Sequence, residues 1–425
     1  MKILLLNQCF YPDVVATAQY TSDLASMLTG RGHEVTVIAS NRGYDDPTNR
    51  FPGKECWNGV RIVRVPCLAT GKGKRWKRAL NIASFFLTCC SRLLLMRRFD
   101  VVIALTSPPL ISALAAMFIR IRGGRFIFWI MDLNPDEAIA AGWLQAGSRT
   151  ARLLESVLRF SANTADRVVV LDRFMSDRMV AKGLPIRKIS ILPPWSHDRE
   201  VAYDEEGRAL FRAEHGLTEK YVVMYSGNHS PCHPLQTVLE AALALADEPD
   251  IAFCFVGGGS EYAKVHAFAK RHHLRNIVLL RYQKLTDLSA SLSSADLHVV
   301  VMGQGLVGLV HPSKIYNVLA IGVPMLYVGP AASHLGDIAD ANPDLPITRV
   351  EHGDVTGVVA RVRLGASGMV PNERMREVAR NFSANRILSF HADILASLEQ
   401  APDPGIRLPV KHGQPAVSRL PTEDL

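Results

Sequence analysis

Short apolar runs alternate with helical periodicity through the first half of the chain. Residues 2–6 (KILLL), 34–39, 60–65, 100–105, 125–130, 167–171 and 188–192 read as strands. Between most of them the spacing of apolar positions predicts helices over 17–29, 76–97, 110–120, 148–162 and 173–181. Strands that are apolar throughout, with helices between them, predict a parallel sheet covered on both faces. The pattern then restarts. Residues 221–226, 251–256, 276–280, 297–301 and 324–328 read as strands, and 235–246, 260–272, 285–294 and 313–320 as helices. Two successive βα arrays predict an α/β chain of two Rossmann-like parallel-sheet domains facing each other across a cleft.

The domain boundaries read as 1–195 and 208–383, with a polar, proline-bearing hinge at 196–207. A helix near 384–400 is expected to pack back on the first domain. Residues 401–425 carry five prolines and no apolar period, and read as a disordered tail. A length of 425 residues agrees with two cores rather than one. The apolar run that opens the chain stops after four residues, too short for a secretory signal, so a cytoplasmic protein is expected. Seven scattered cysteines fit reduced thiols.

Charge changes the picture in one place. From Arg61 to Arg125 thirteen Lys/Arg stand against one acid, Asp100, while the whole chain carries only +8. A basic patch confined to one domain predicts an anionic partner there. No nucleic-acid module accompanies it, so membrane phosphate or a phosphorylated lipid is the expected partner, not DNA or RNA. Within 77–96 the polar residues Asn81, Ser84, Thr88 and Ser91 form one narrow stripe on an otherwise apolar helix with basic ends. Such a helix is either buried on most faces or a peripheral membrane contact through 72–98. Residues 101–119 lack charge but are broken by Pro108 and Pro109, and read as a strand and then a helix.

Ligands of open α/β sheets bind beyond the carboxyl ends of the strands. At such a place stands SGNHSPCHP, with His229, Cys232 and His233 close together. A structural zinc needs four ligands, and no paired partners occur elsewhere, so no metal is expected. Pro234 at the first position of the next helix would instead turn that helix and the loop amides toward an anion. FVGGGSE, with Gly258, repeats the strand-to-glycine-to-helix arrangement. In VHPSKIYNVLAIGVP, Pro312 and Ser313 fit a helix start. Lys314 in the first turn opposes the usual dipole preference unless a diphosphate lies there. In WIMDLNPDEAIAAGW, Asn134, Pro135 and Glu137 suit a capping box, which leaves Asp132 as the acid for chemistry. Thr17 opens a helix after the first strand and could meet a phosphate or a sugar.

With those motifs, together with FYPD and RGHEVTVI, the sequence resembles the retaining family 4 glycosyltransferases of the GT-B fold. It looks closest to a bacterial branch for surface polysaccharides that includes fucosamine transferases. The resemblance implies a nucleotide diphosphate sugar as co-substrate in the second domain and the acceptor in the first. No cofactor and no metal are expected, and the basic, apolar helix Lys77–Met96 fits a lipid-linked acceptor and a peripheral place at the inner face of the membrane. Gly227, Asn228, His229, His233, Gly258, Pro312, Ser313, Lys314 and Asn317 would bind the donor. Asp132 and Lys314 would serve catalysis, with Thr17 and Asp132 on the acceptor side. Asn228 and His233 stand where relatives carry arginine and lysine, and Leu309 and Asn317 replace a glutamate pair. Two rivals follow from these departures: a sugar-nucleotide epimerase of the same fold, and a non-catalytic protein binding lipid or a partner.

Overall fold

A computed structural model describes residues 1–44, 46–68, 75–197, 201–365 and 371–400. The chain divides into two units, Met1–Leu192 with Leu388–Leu425, and Pro193–Ile387. The tail expected over 401–425 and the basic residues at 72–74 lie outside the described residues. The connection expected to run to 207 ends sooner, because Asp204 accepts from Gly207 N and caps a helix over Glu205–Glu214. Asp, which takes backbone N–H bonds well at an N-cap, overrides the polar composition that suggested a longer loop.

Among the described residues the first unit carries eight strands: β1 Lys2–Leu6, β2 Glu34–Ser40, β3 Lys54–Trp57, β4 Val60–Val65, β5 Val101–Ala104, β6 Arg125–Trp129, β7 Arg167–Val170 and β8 Ile189–Ile191. Their order is β3-β4-β2-β1-β5-β6-β7-β8. All neighbours are parallel except β3 with β4. The edge strand β3 escapes the sequence pattern because KECW is short and only half apolar.

The described residues of the second unit carry six: β9 Tyr221–Asn228, β10 Ile251–Gly258, β11 Ile277–Leu280, β12 Leu297–Val301, β13 Met325–Val328 and β14 Ile347–Val350. Their order is β11-β10-β9-β12-β13-β14, wholly parallel. The edge strand β14, ITRV, also gives no continuous apolar run. Apolar side chains cover both faces, Val223, Tyr225, Phe253 and Phe255 on one, and Val222, Met224, Cys254 and Val256 on the other. At the start of β9, buried Asp296 accepts from Arg208, Arg212 and Val222 N, which neutralises a carboxylate that burial alone would penalise.

In each sheet the strand order reverses once, between β1 and β5 and between β9 and β12. Loops leave such a switch point in opposite directions and open a crevice at the carboxyl ends. Both crevices hold the residues singled out from the sequence.

The Arg75–Leu94 helix buries Phe85, Cys89 and Leu93 at four-residue spacing. Full burial contributes roughly 1.5–3 kcal/mol for a side chain such as Phe or Leu. Most of its polar stripe is partly buried, with Ser91 exposed. Ser84 Oγ accepts from Leu68 N at 3.0 Å and Thr88 Oγ1 donates to Pro66 O at 2.9 Å. The outward side also carries exposed leucines, Leu87 at 70% and Leu94 at 63%, with Leu95 just past the helix at 79%. Uncharged residues 101–119 become β5 and the Ile111–Arg122 helix. No helix among the described residues is long and apolar enough to cross a membrane.

Candidate functional site

In the second unit β9 and β10 run on together past their apolar residues, pairing Gly227 with Gly257 and Asn228 with Gly258. This approach requires glycine. A Cβ on Gly257 would stand 2.1 Å from Gly227 O, and both residues hold positive φ, +131° and +136°. His229 N then donates to Gly258 O at 2.7 Å, and Glu261 N donates to His229 O at 2.9 Å. The two glycine-bearing loops are thus laced into one rim. Tyr282 Oη donates to Gly258 O at 3.2 Å from the third loop.

The three residues that suggested a metal point apart. The buried His229 ring lies edge-on to Tyr225 and Tyr262, at 4.9 and 5.0 Å. Its Nδ1 donates to Gly227 O at 3.0 Å. A carbonyl only accepts, so Nδ1 carries the proton and Nε2 is a lone pair, buried without a hydrogen-bond partner. His233 Nδ1 donates to Val301 O at 2.7 Å, across the β9–β12 switch point. Cys232 is buried. Among the described residues no three His, Cys, Asp or Glu side chains gather to hold a metal ion.

Burial, with the charge of Lys314 adding, pushes His229 down to about 4 and His233 to about 3. Both rings are neutral near pH 7. His233 therefore brings no positive charge to the place near which relatives carry a lysine. Pro234 is not the first helical residue either. His233 N closes a turn on Ser230 O, and the helix begins at Gln236 with Leu235 as its cap. Asn228 is exposed at the rim, its carbonyl accepting from Tyr225 Oη at 2.7 Å.

The helix after β12 begins as the sequence suggests. Ser313 is the N-cap and Lys314 the first residue of Lys314–Ile321, and Pro312 is buried before them. No side chain caps this helix and no acid stands in its first turn. The Lys314 stem passes against Gly227, where a Cβ would lie 3.2 Å from Cε and Nζ. Its Nζ stands 3.7 Å from the Tyr225 ring centroid and is buried without a hydrogen-bond partner. Burial pushes it down to about 7. Asn317 lies farther along the helix, where Oδ1 accepts from His197 N at 3.0 Å and so anchors the segment entering this unit. Leu309 is buried.

In the first unit, Thr106 Oγ1 just beyond β5 accepts from Met131 N and Asp132 N, both at 3.3 Å. Those bonds fix the turn that carries Asp132 past β6. Asp132 is half-buried, and burial followed by repulsion from Glu137 pushes its carboxyl up to about 8. The expected capping box does not form. Asn134 Nδ2 donates to Glu137 Oε2 at 2.8 Å, and the Asp136–Ala140 helix has Pro135 as an N-cap without a side-chain bond. Asn134 is spent holding the Glu137 carboxylate, so Glu137 remains as the charge beside Asp132. Thr17 is the second residue of the Ala16–Gly30 helix, with Oγ1 3.5 Å from Cys9 Sγ.

Several contributors carry no sequence signal. Tyr225 sits in an apolar strand run and reads as core. Tyr316 Oη bridges His311 Nε2 at 2.7 Å and His334 Nε2 at 2.8 Å, and so ties the loop before Lys314 to the helix that begins at His334.

Residues 16–195 match the family described as Glycosyl transferase 4-like domain. A protein of Escherichia coli (strain K12) named for colanic acid biosynthesis glycosyl transfer, WcaI, is 27% identical over 374 residues, covering 85% of this chain and 91% of that one. A Pseudomonas aeruginosa protein named as the glycosyltransferase WbjE is 28% identical over 345 residues, covering 80% and 83%. Among solved structures, sucrose-phosphate synthase from Thermosynechococcus elongatus superposes with a TM-score of 0.71 at 14% identity, over 94% of this chain and 99% of that one. Anabaena HepE, solved with UDP and glucose, gives 0.68 at 13%, over 93% and 100%. WaaG, a glycosyltransferase of lipopolysaccharide biosynthesis, gives 0.69 at 17%, over 92% and 99%. The fold is that of the GT-B glycosyltransferases, and residues 16–195 resemble a glycosyl transferase 4-like domain.

Proposed function

We propose that this chain transfers a sugar from a nucleotide diphosphate sugar to a lipid-linked acceptor in surface polysaccharide synthesis. The observation that carries the reading is Lys314. A buried amine without a hydrogen-bond partner stands beside two glycine-bearing loops, at the switch point of a parallel sheet. Burying such a group is unfavourable unless a partner of opposite charge arrives. A departing diphosphate is such a partner, and cations placed beforehand stabilise the charge that develops on it. Exposed Asn228 and the uncapped start of the Lys314–Ile321 helix add polar groups at the same rim. The relatives named for polysaccharide transfer and the UDP-bound neighbour support this choice of donor class.

Asp132 is assigned to the acceptor. In its ionised form this carboxylate, with its pKa raised to about 8, is a strong enough base to receive a hydroxyl proton as the glycosidic bond forms. The donor's anomeric C–O bond breaks toward the diphosphate, which leaves with the electron pair. Transfer proceeds with retained configuration and needs no metal, because Lys314 supplies the cation at the leaving group.

The protein works as a cytoplasmic, peripheral protein at the inner face of the membrane. The Arg75–Leu94 helix presents Leu87 and Leu94 outward, and Met117 and Ile121 are exposed on the Ile111–Arg122 helix. Exposed Arg97 and Arg120 and the charge count from Arg61 to Arg125 make the same region basic. Apolar side chains among basic ones suit an anionic bilayer.

A thermal-shift panel of UDP-, GDP-, ADP- and dTDP-sugars in excess chelator tests the donor reading. One nucleotide class should raise the melting temperature, since a ligand of the folded state stabilises it. No shift with any of them would overturn the reading.

A further inference from the structure

Lys314 raises a question of its own: what holds its head group in place when no ligand is bound. Nζ has no hydrogen-bond partner. The titratable groups around it are His229 and His233 in the first loop, His298 on β12 and Tyr225 on β9, and each is affected by or touches the amine. The three imidazoles are held low, at about 4, 3 and 4, so they stand neutral near pH 7 and neither repel the amine nor carry a negative charge for it. His298 Nε2 is spent on Leu292 O at 2.8 Å. What remains is the face of the Tyr225 ring, 3.7 Å from Nζ. An aromatic face attracts a desolvated cation, whereas an aliphatic side chain of similar size gives contact without that attraction.

The same side chain does a second job. Tyr225 is 1% exposed and its Oη donates to Asn228 O at 2.7 Å, reaching over Gly227 to the loop that follows. A single buried ring thus touches both the cation and the loop that meet at the switch point.

We propose that Tyr225 is the positioning residue of the donor site: its ring face holds the Lys314 head group beside Gly227, and its hydroxyl locks the Asn228 turn to that same ring. The diphosphate then meets a cation and a loop already set in their bound arrangement. This rests on the donor reading above, and the test separates the two.

Acetic anhydride labels neutral amines, so the pH profile of Lys314 labelling, read by mass spectrometry on the full chain, reports its ionisation without any donor. UDP affinity is measured separately by calorimetry. Tyr225→Phe keeps the ring, so the labelling midpoint should stay near 7, while UDP binding weakens about threefold through the freed loop. Tyr225→Leu should lower the midpoint by about one pH unit and weaken UDP binding about tenfold. If the leucine variant does not fold, Tyr225 is replaced by pentafluorophenylalanine, which keeps the shape and reverses the ring quadrupole. Its midpoint should fall below that of Tyr225→Phe. Equal midpoints in the phenylalanine and pentafluorophenylalanine proteins would overturn the ring's role. Unchanged UDP affinity in Tyr225→Phe would overturn the hydroxyl's role. An intact midpoint series in a wild-type protein that binds no UDP would overturn the assignment to a donor site while leaving the Tyr225–Lys314 contact standing.

Discussion

The first unit sets a carboxyl beyond the end of β6, and the second sets an amine beyond the end of β12. Burial leads both shifts, raising Asp132 to about 8 and lowering Lys314 to about 7. The same physical cause acts on groups of opposite sign, so both are drawn toward neutrality at neutral pH. Their surroundings differ instructively. Asp132 has a like charge beside it in Glu137, which adds to the rise. Lys314 has no charged partner among the causes of its shift, only an aromatic face. Under the proposed function the carboxyl acts as a base in its ionised form, and the amine gains a counter-ion from its ligand.

Removing the acid should have the largest effect. Asp132→Asn keeps the shape but cannot accept a proton, and kcat should fall by roughly 10²–10⁴ with donor binding little changed. An unchanged kcat would take Asp132 out of the chemistry and leave the two sites without a common logic. Lys314→Met should lower kcat/KM for the donor by about 10²-fold, the loss of one charge-assisted contact in a buried site. Replacing Leu87 and Leu94 together by glutamate should weaken binding to anionic vesicles at least tenfold, and leave transfer to a short-chain, detergent-free acceptor unaltered. Equal vesicle binding would show that the basic, leucine-bearing face serves something else.

The smallest effect sharpens the comparison most, because the signs differ. Asp132 holds its proton more tightly folded than its ordinary value of 3.8, so the folded chain binds the extra proton between about 4 and 8. Stability falls with pH across that window. Lys314 lies below its ordinary 10.5, so the unfolded chain binds the extra proton between about 7 and 10.5, and stability rises with pH there. Asp132→Asn should flatten the first slope and Lys314→Met the second, each worth roughly 1–3 kcal/mol. Urea unfolding at pH 5, 7 and 9 checks both. Slopes unchanged in both variants would mean that neither group is shifted as its burial requires.

Much of this arrangement was legible before folding. Runs rich in apolar residues announced the central strands, and Pro312–Ser313 announced the helix that places Lys314. What stayed hidden depends on contacts between distant residues. KECW and ITRV become strands only because a neighbouring strand offers them an edge. Asn134 fits a cap by its local sequence, yet its amide finds the Glu137 carboxylate instead. His233 looks like a cation until Val301 O and burial are seen around it. Tyr225 occupies a position any core aromatic could fill, and only the approach of Lys314 distinguishes it.

Titrating wild type and Lys314→Met with UDP in chelator, at pH 6 and pH 8, tests the central claim most directly. Wild type should bind UDP about tenfold more weakly at pH 8, since its free amine must first take up a proton above about 7. Lys314→Met should bind more weakly at both values and show no such dependence. Equal affinity and equal pH dependence in the two proteins would contradict the claim that Lys314 is the cation of the donor site.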